Sequence, residues 1–281
     1  MASKILYNPT KDAVTHPCKG ATFFPDGPPA SDDVLCAELA RLVYCKFDRD
    51  GTARQKVEEV LNGAGFPRCI FFAKSGTQGF LAIGAATAVL AFRGTELEDP
   101  TDIITDIRIL RKAWEGGGKV HIGFRDAFLL VRPQVEAALN GVTQRLLITG
   151  HSLGAALATL AATLYKPAGL ITIGSPLIGD KKFAQSKNLA EVTIRRYVDC
   201  CDLVCVIPPK LLGYEHVAPK HYVDRNGKIH FKPGAQEVKA DQQKAREDYL
   251  RKHAFIVGNA PLRDIADHAP INYISALTGR A

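Results

Sequence analysis

The sequence predicts an α/β fold with a mostly parallel central sheet flanked by helices. Three observations predict it. Strand-like and helix-like segments alternate along most of the 281 residues. The composition is that of an ordinary globular chain, 46% hydrophobic and 23% charged, and long enough to bury a large core. Finally, a strand, a sharp turn and an apolar helix follow one another without a gap over residues 145–165.

In chain order, residues 1–30 carry Pro25-Asp26-Gly27-Pro28-Pro29 and read as an extended, non-helical segment wrapping the surface. Residues 32–44 and 53–61 read as helices. Residues 69–72, 79–83 and 88–92 read as strands, being rich in Ile, Phe and Val. Residues 125–139 are helical in pattern. Residues 145–149 form a buried strand and 155–165 a buried helix. A short strand at 170–173, a helix at 181–188 and a strand at 192–198 continue the alternation. A long polar helix at 236–255 and a terminal helix at 267–277 complete it. No repeat, low-complexity tract or long linker divides the chain, so one domain over 1–281 is expected.

Composition also limits function. The net charge is +7, but basic and acidic residues are interspersed. That is compatible with transient contact with anionic or lipid surfaces, and a solvated surface is the simpler reading. No basic run with interleaved aromatics points to nucleic acid. The longest apolar run, 79–92, is too short for a transmembrane segment. The opening residues lack the apolar core of a secretory signal. The seven cysteines, at 18, 36, 45, 69, 200, 201 and 205, are odd in number and contain no C-x-x-C pair. Neither a disulfide scaffold nor a zinc site is indicated, and buried thiols in a reducing, cytoplasmic compartment are expected, unless a signal was trimmed from an exported precursor. Cys200, Cys201 and Cys205 around Asp202 would suit a thiolate metal site, but small buried side chains are the better reading.

The chemistry sits in Gly150-His151-Ser152-Leu153-Gly154. This is G-x-S-x-G between a strand and a helix, the context that lifts a serine hydroxyl onto an exposed, strained turn. A serine nucleophile needs a base to take its proton and an acid to orient that base. The backbone N–H after the nucleophile, here Leu153, is one expected oxyanion donor.

Four ordered blocks then carry a resemblance. They are Val89-Leu90-Ala91-Phe92-Arg93-Gly94-Thr95, Val120-His121-Ile122-Gly123-Phe124, the serine turn continuing to Ile173-Gly174-Ser175-Pro176-Leu177-Ile178-Gly179-Asp180, and Asp202-Leu203-Val204-Cys205-Val206-Ile207-Pro208-Pro209. Together they resemble the lipase class 3 family, the α/β-hydrolases that include fungal triacylglycerol lipases. The resemblance implies an α/β-hydrolase fold and roles for particular residues. Ser152 is the nucleophile, and Asp202 stands at the family's acid position, with Asp199 and Asp180 as weaker rivals. Thr95 stands at the family's second oxyanion position, and Arg93 reads as a structural anchor.

The base follows the acid in this fold class. His16 and His121 come too early, and His151 flanks the serine with its ring expected to point away from the base. His216, His221, His230, His253 and His268 remain. His268 is similar in context to the family's D-H-x-x-Y, with Tyr273 two places late; His216 matches a structural strand and is a distant second. Two departures stand out. Cys201 and Cys205 replace small or proline residues near the acid, which would expose the acid loop to oxidation. The lid-equivalent stretch 96–101 is short and acidic, with Leu97 as its one large apolar residue. Residues 232–252 are the alternative cover, though a solvated surface helix is the simpler reading.

The expected activity is hydrolysis of acylglycerols or simpler carboxylic esters through an acyl-enzyme on Ser152, with no metal or organic cofactor. The same residues would serve a phospholipase A1, a feruloyl-type esterase or an acyltransferase. A catalytically idle binding protein is the alternative of a different class. Oligomeric state is not legible.

Overall fold

The computed structural model describes residues 5–19, 21–29, 31–48, 51–94 and 110–279. Its centre is an eight-stranded sheet in the order β1-β2-β3-β6-β7-β8-β9-β10. The strands are β1 (Arg68–Lys74), β2 (Thr77–Ile83), β3 (Thr87–Phe92), β6 (Arg145–His151), β7 (Gly169–Ile173), β8 (Thr193–Asp199), β9 (Lys220–Val223) and β10 (Ile229–Phe231). A separate hairpin pairs β4 (Arg111–Ala113) with β5 (Lys119–His121). From β3 to β9 the neighbours run parallel; β1, β2 and β10 are antiparallel additions at the edges. The apolar run 79–92 is the β2–β3 hairpin, with Gly79 opposite Phe92. No helix among the described residues is long and apolar enough to cross a membrane.

Alternation along the central strands feeds two cores. Val89, Ala91, Leu147 and Ile171 join one; Ala88, Leu90, Phe92, Ile148 and Leu170 join the other. The first core is closed by α2 (Asp32–Leu42) and the C-terminal helix Pro270–Leu277, together with parts of α1 (Lys11–Thr15) and α3 (Gly51–Gly63). The second is closed by α4 (Ile122–Leu139) and α5 (Leu153–Tyr165). Burial of α5 from Gly154 to Thr163 explains why its sequence is apolar on every side.

Several expectations need correction. Residues 1–30 are not wholly extended: Thr10 caps α1 by accepting from the Ala13 N–H at 3.2 Å, and Ile5, Val14 and Phe23 are buried. Cys18 and Cys45 form a disulfide, with Cα atoms 5.3 Å apart. The N-terminal segment folds back against the end of α2, a proximity that cysteine spacing alone does not reveal. Such bonds persist in oxidising surroundings, which removes the argument for a reducing compartment.

The helix expected at 181–188 is two short turns, Lys181–Ala184 and Lys187–Ala190, separated by the extended backbone of Ser186. The polar helix is Ala235–Lys252, here α6, with Val238, Ala245 and Tyr249 buried. The terminal helix, α7, begins at Pro270, not Asp267. Proline suits the first helical position and disfavours a helical predecessor. Asp267, His268 and Ala269 therefore lie in the break between the turn Arg263–Ala266 and α7.

Candidate active site

β6 ends at His151 and α5 begins at Leu153, so Ser152 alone makes the turn, with φ 58° and ψ −130°. A non-glycine residue held there stores strain, about 1–3 kcal/mol. The flanking glycines are required by close approach. A Cβ on Gly150 would lie 2.2 Å from the Gly154 carbonyl oxygen, and one on Gly154 would lie 2.2 Å from the Phe92 oxygen. Ser152 itself is partly exposed. As the first residue of α5, Leu153 has an N–H with no intrahelical acceptor.

Past the end of β3, Gly94 lies against the serine turn: a Cβ there would sit 3.2 Å from Ser152 Cβ and 2.8 Å from the His151 oxygen. The next residue, Thr95, and the lid-equivalent stretch 96–101 lie outside the described residues. Arg93 is buried, and its guanidinium donates to the Gly76 carbonyl at 3.1 Å, consistent with an anchor.

Asp202 follows β8 and caps a turn of 3-10 helix at Leu203–Val206. His268 Nδ1 lies 2.9 Å and 3.0 Å from the two Asp202 carboxylate oxygens. An ionised carboxylate only accepts, so Nδ1 carries the proton and the lone pair falls on Nε2. That Nε2 is buried and has no hydrogen-bond partner among the described residues. Asp202 accepts two further bonds, from the Val204 N–H at 2.9 Å and from the Tyr273 hydroxyl. Tyr273 is wholly buried, and its oxygen accepts from the Asp199 N–H at 3.0 Å. One hydroxyl thus ties the end of β8, Asp202 and α7 together. Burial, then Asp202, raises the Tyr273 phenol well above its usual range, so it remains a donor.

His151 lies against His268, contrary to the expectation from sequence. The two ring centroids are 4.3 Å apart, and His151 Nε2 donates to the His268 carbonyl at 2.8 Å. Its Nδ1 accepts from the Tyr44 hydroxyl at 2.8 Å. Burial, with His268 alongside, holds His151 well below the usual histidine range, which favours the neutral ring. It positions the main chain of its neighbour. Asp267 does the same from the other side: it accepts from the Cys201 N–H at 2.9 Å and the Tyr7 hydroxyl at 2.7 Å, and pairs with Arg263 at 3.0 Å. The positioning by Tyr44, His151 and Tyr273 was missed from sequence; the displaced tyrosine after Asp-His was its one visible signal.

The rival residues have other partners. Asp180 caps Lys181–Ala184, accepting from the Phe183 N–H at 2.9 Å. Asp199 is the last residue of β8. His121 caps α4 through Nδ1. His216 Nε2 donates to the Cys205 carbonyl at 2.9 Å, and burial, with Arg196 close by, pushes it down to about 3. His253 closes α6, and α6 packs its buried face on the chain as a largely solvated helix.

Cys201 and Cys205 are buried, and burial pushes the Cys205 thiol well up, which disfavours the reactive thiolate. A metal-ligand arrangement exists in Cys200, Cys201 and Asp267, whose donor atoms lie within 4.8 Å of one another. It does not include Asp202 or Cys205, and its carboxylate is already bound by Arg263, Tyr7 and the Cys201 N–H.

Comparisons with known proteins agree with this architecture. The family model Lipase (class 3) matches residues 89–212. A secreted mono- and diacylglycerol lipase 1 of Fusarium solani is 34% identical over 117 residues, 38% of this chain and 35% of the relative. The secreted mono- and diacylglycerol lipase A of Penicillium cyclopium is 31% identical over 164 residues, 52% of each chain. The matches therefore span about half or less of these relatives. A crystal structure of a mutant form of MDLA from Penicillium cyclopium superposes with TM-score 0.53 at 26% identity, covering 68% of this chain and 76% of that one. The mono- and diacylglycerol lipase of Aspergillus oryzae, 23% identical, superposes with TM-score 0.58 over 73% of this chain and 87% of that one. The fold is the α/β-hydrolase fold.

Proposed function

We propose that this chain, which over residues 89–212 belongs to the class 3 lipase family, is a serine carboxylic-ester hydrolase acting on acylglycerols or simpler esters. Ser152 Oγ attacks the ester carbonyl while His268 Nε2 takes its proton. Asp202 holds the imidazole in the required tautomer and stabilises the imidazolium that forms. The Leu153 N–H, with Thr95 as second donor, stabilises the tetrahedral oxyanion, usually the largest single contribution in such sites. His268 then returns the proton to the leaving alcohol, giving the acyl-enzyme. Water, activated by the same histidine, releases the acid.

The observation that carries this reading is the partnership at His268. Its Nδ1 is held by Asp202 at 2.9 Å, and its buried Nε2 has no partner among the described residues. A buried unpaired acceptor costs stability and is retained where it has work to do. The relatives named as mono- and diacylglycerol lipases support acylglycerols as the substrate class. The test is turnover of p-nitrophenyl esters of increasing acyl length by the wild type and by His268→Ala. Hydrolysis by the first and its near-absence in the second supports the reading; no hydrolysis of any ester by folded wild type makes the chain a binding protein.

A further inference from the structure

β8 carries two adjacent arginines with opposite fates. Arg195 pairs with Asp33 at 2.5 Å and with Asp32 at 3.6 Å. Arg196, on the other face of the strand, is 5% exposed and makes no ion pair with any described residue. Its Nε donates to the Ala218 carbonyl at 3.1 Å. A guanidinium has four further N–H donors; none of them makes a hydrogen bond with a described residue, and their nitrogens are open to the adjoining cavity. Burial lowers Arg196 from its ordinary value, the direction expected of a desolvated cation without a counter-charge.

Arg196 lines a cavity of about 720 Å³ beside the loop that follows Asp202. The half-buried Lys220 lines it too, with the exposed Lys181 and Lys210 at its rim. Against these four cations stands Glu215, which is exposed, and Asp202, whose carboxylate is bound by His268, Tyr273 and Val204. His216, also on the wall, is neutral and donates to Cys205. Lys220 is lowered as well, by burial and then by Arg196. Uncompensated buried charge is strongly unfavourable, and an apolar side chain of the same size would serve the fold better. A planar guanidinium with surrounding lysines matches the geometry and charge of a phosphate group. The apolar walls, Leu177 and Val217 among them, leave room for an organic group attached to it.

We propose that this cavity is a binding site for a phosphate-bearing ligand, with Arg196 as the buried anchor and Lys220 as its partner. The phosphate belongs to a soluble phosphomonoester or to a lipid headgroup. The cavity wall includes Asp202 but neither Ser152 nor His268, and the proposal does not depend on the ester-hydrolase reading.

The experiment measures melting temperature against inorganic phosphate at constant ionic strength, with chloride as the control salt. Wild type should show a rise that grows with the logarithm of phosphate above its Kd and reaches about 5 °C at a hundredfold excess. Arg196→Met should lose that rise and, without phosphate, melt no lower than wild type. Lys220→Gln should require about tenfold more phosphate. It also reads the site if Arg196→Met fails to fold. Cosedimentation with phosphatidic acid–phosphatidylcholine vesicles, lost in Arg196→Met, assigns the headgroup; a phosphate-dependent rise without cosedimentation assigns a soluble phosphomonoester. A rise equalled by chloride, an equal rise in Arg196→Met, or an unchanged phosphate curve in Lys220→Gln overturns the proposal.

Discussion

Removing the Tyr273 hydroxyl should separate positioning from chemistry. In Tyr273→Phe the ring remains in the core while a weak contact with Cys205 Sγ at 3.8 Å and two stronger hydrogen bonds disappear. One leaves the buried Asp199 N–H without its acceptor, and the other removes a donor from the Asp202 carboxylate. An orphaned buried donor costs about 1–3 kcal/mol and a bond to a charged group contributes about 1.5–3 kcal/mol. Because relaxation recovers part of each, a loss of about 2–4 kcal/mol is expected. Unfolding entropy of about 2.1 cal/mol/K per residue makes this a fall of about 3–7 °C in melting temperature for a chain of this length. Asp202 keeps the Val204 N–H and His268. Ester-hydrolysis kcat should therefore fall by no more than about tenfold, or about 1.4 kcal/mol in the barrier, with KM unchanged. Calorimetry and steady-state hydrolysis of a soluble p-nitrophenyl ester measure the two effects. Unchanged melting and unchanged kcat would refute the bridging role. A kcat loss as deep as that of Ser152→Ala with normal melting would make Tyr273 a participant in the chemistry.

Other expected outcomes follow from the same geometry. His216 is held near 3 in the fold and titrates near 6.5 when unfolded, so its contribution is present above about 6.5 and is lost as pH falls towards 3. Relative to His216→Gln, wild type should lose up to about 1.4 kcal/mol per pH unit across that window in urea titrations, while both hydrolyse esters at neutral pH; parallel stability curves would contradict the assignment. Gly150→Ala forces a Cβ to within 2.2 Å of the Gly154 oxygen and should destabilise by at least about 1–3 kcal/mol with loss of activity, read by denaturation and turnover together; a stable, active variant would dismiss the need for close approach. Tributyrin should give a hyperbolic rate curve through its solubility limit, because residues 96–101 supply three carboxylates and Leu97, and unpaired charge resists entry into an apolar surface. A sharp jump at the limit would show a working lid.

The alternation of apolar strands and helices was legible because each central strand is buried on both faces and α5 on every side. The short strands β4, β5, β9 and β10 were not: they run three or four residues and mix polar with apolar side chains. Gly150 and Gly154 announced the serine turn because backbone contact excludes any side chain there. The pairing of Asp202 with His268 was legible through chain order and local pattern. The support behind them was not, since Tyr44, His151 and Tyr273 meet only after α2, β6 and α7 pack together. The Cys18–Cys45 bond was hidden for a similar reason: spacing of 27 residues says nothing about the path of the chain between them.

The central claim is that Ser152 attacks carbonyl carbon through His268. A fluorophosphonate probe tests it most directly, with the labelled peptide located by mass spectrometry and the rate followed in wild type, Ser152→Ala and His268→Ala. The account predicts labelling of wild type at Ser152 alone, none in Ser152→Ala, and a rate in His268→Ala lower by several orders of magnitude, as loss of base from a serine hydrolase costs about 10⁶ in kcat. Labelling elsewhere, or ester turnover by folded Ser152→Ala close to that of wild type, would contradict it.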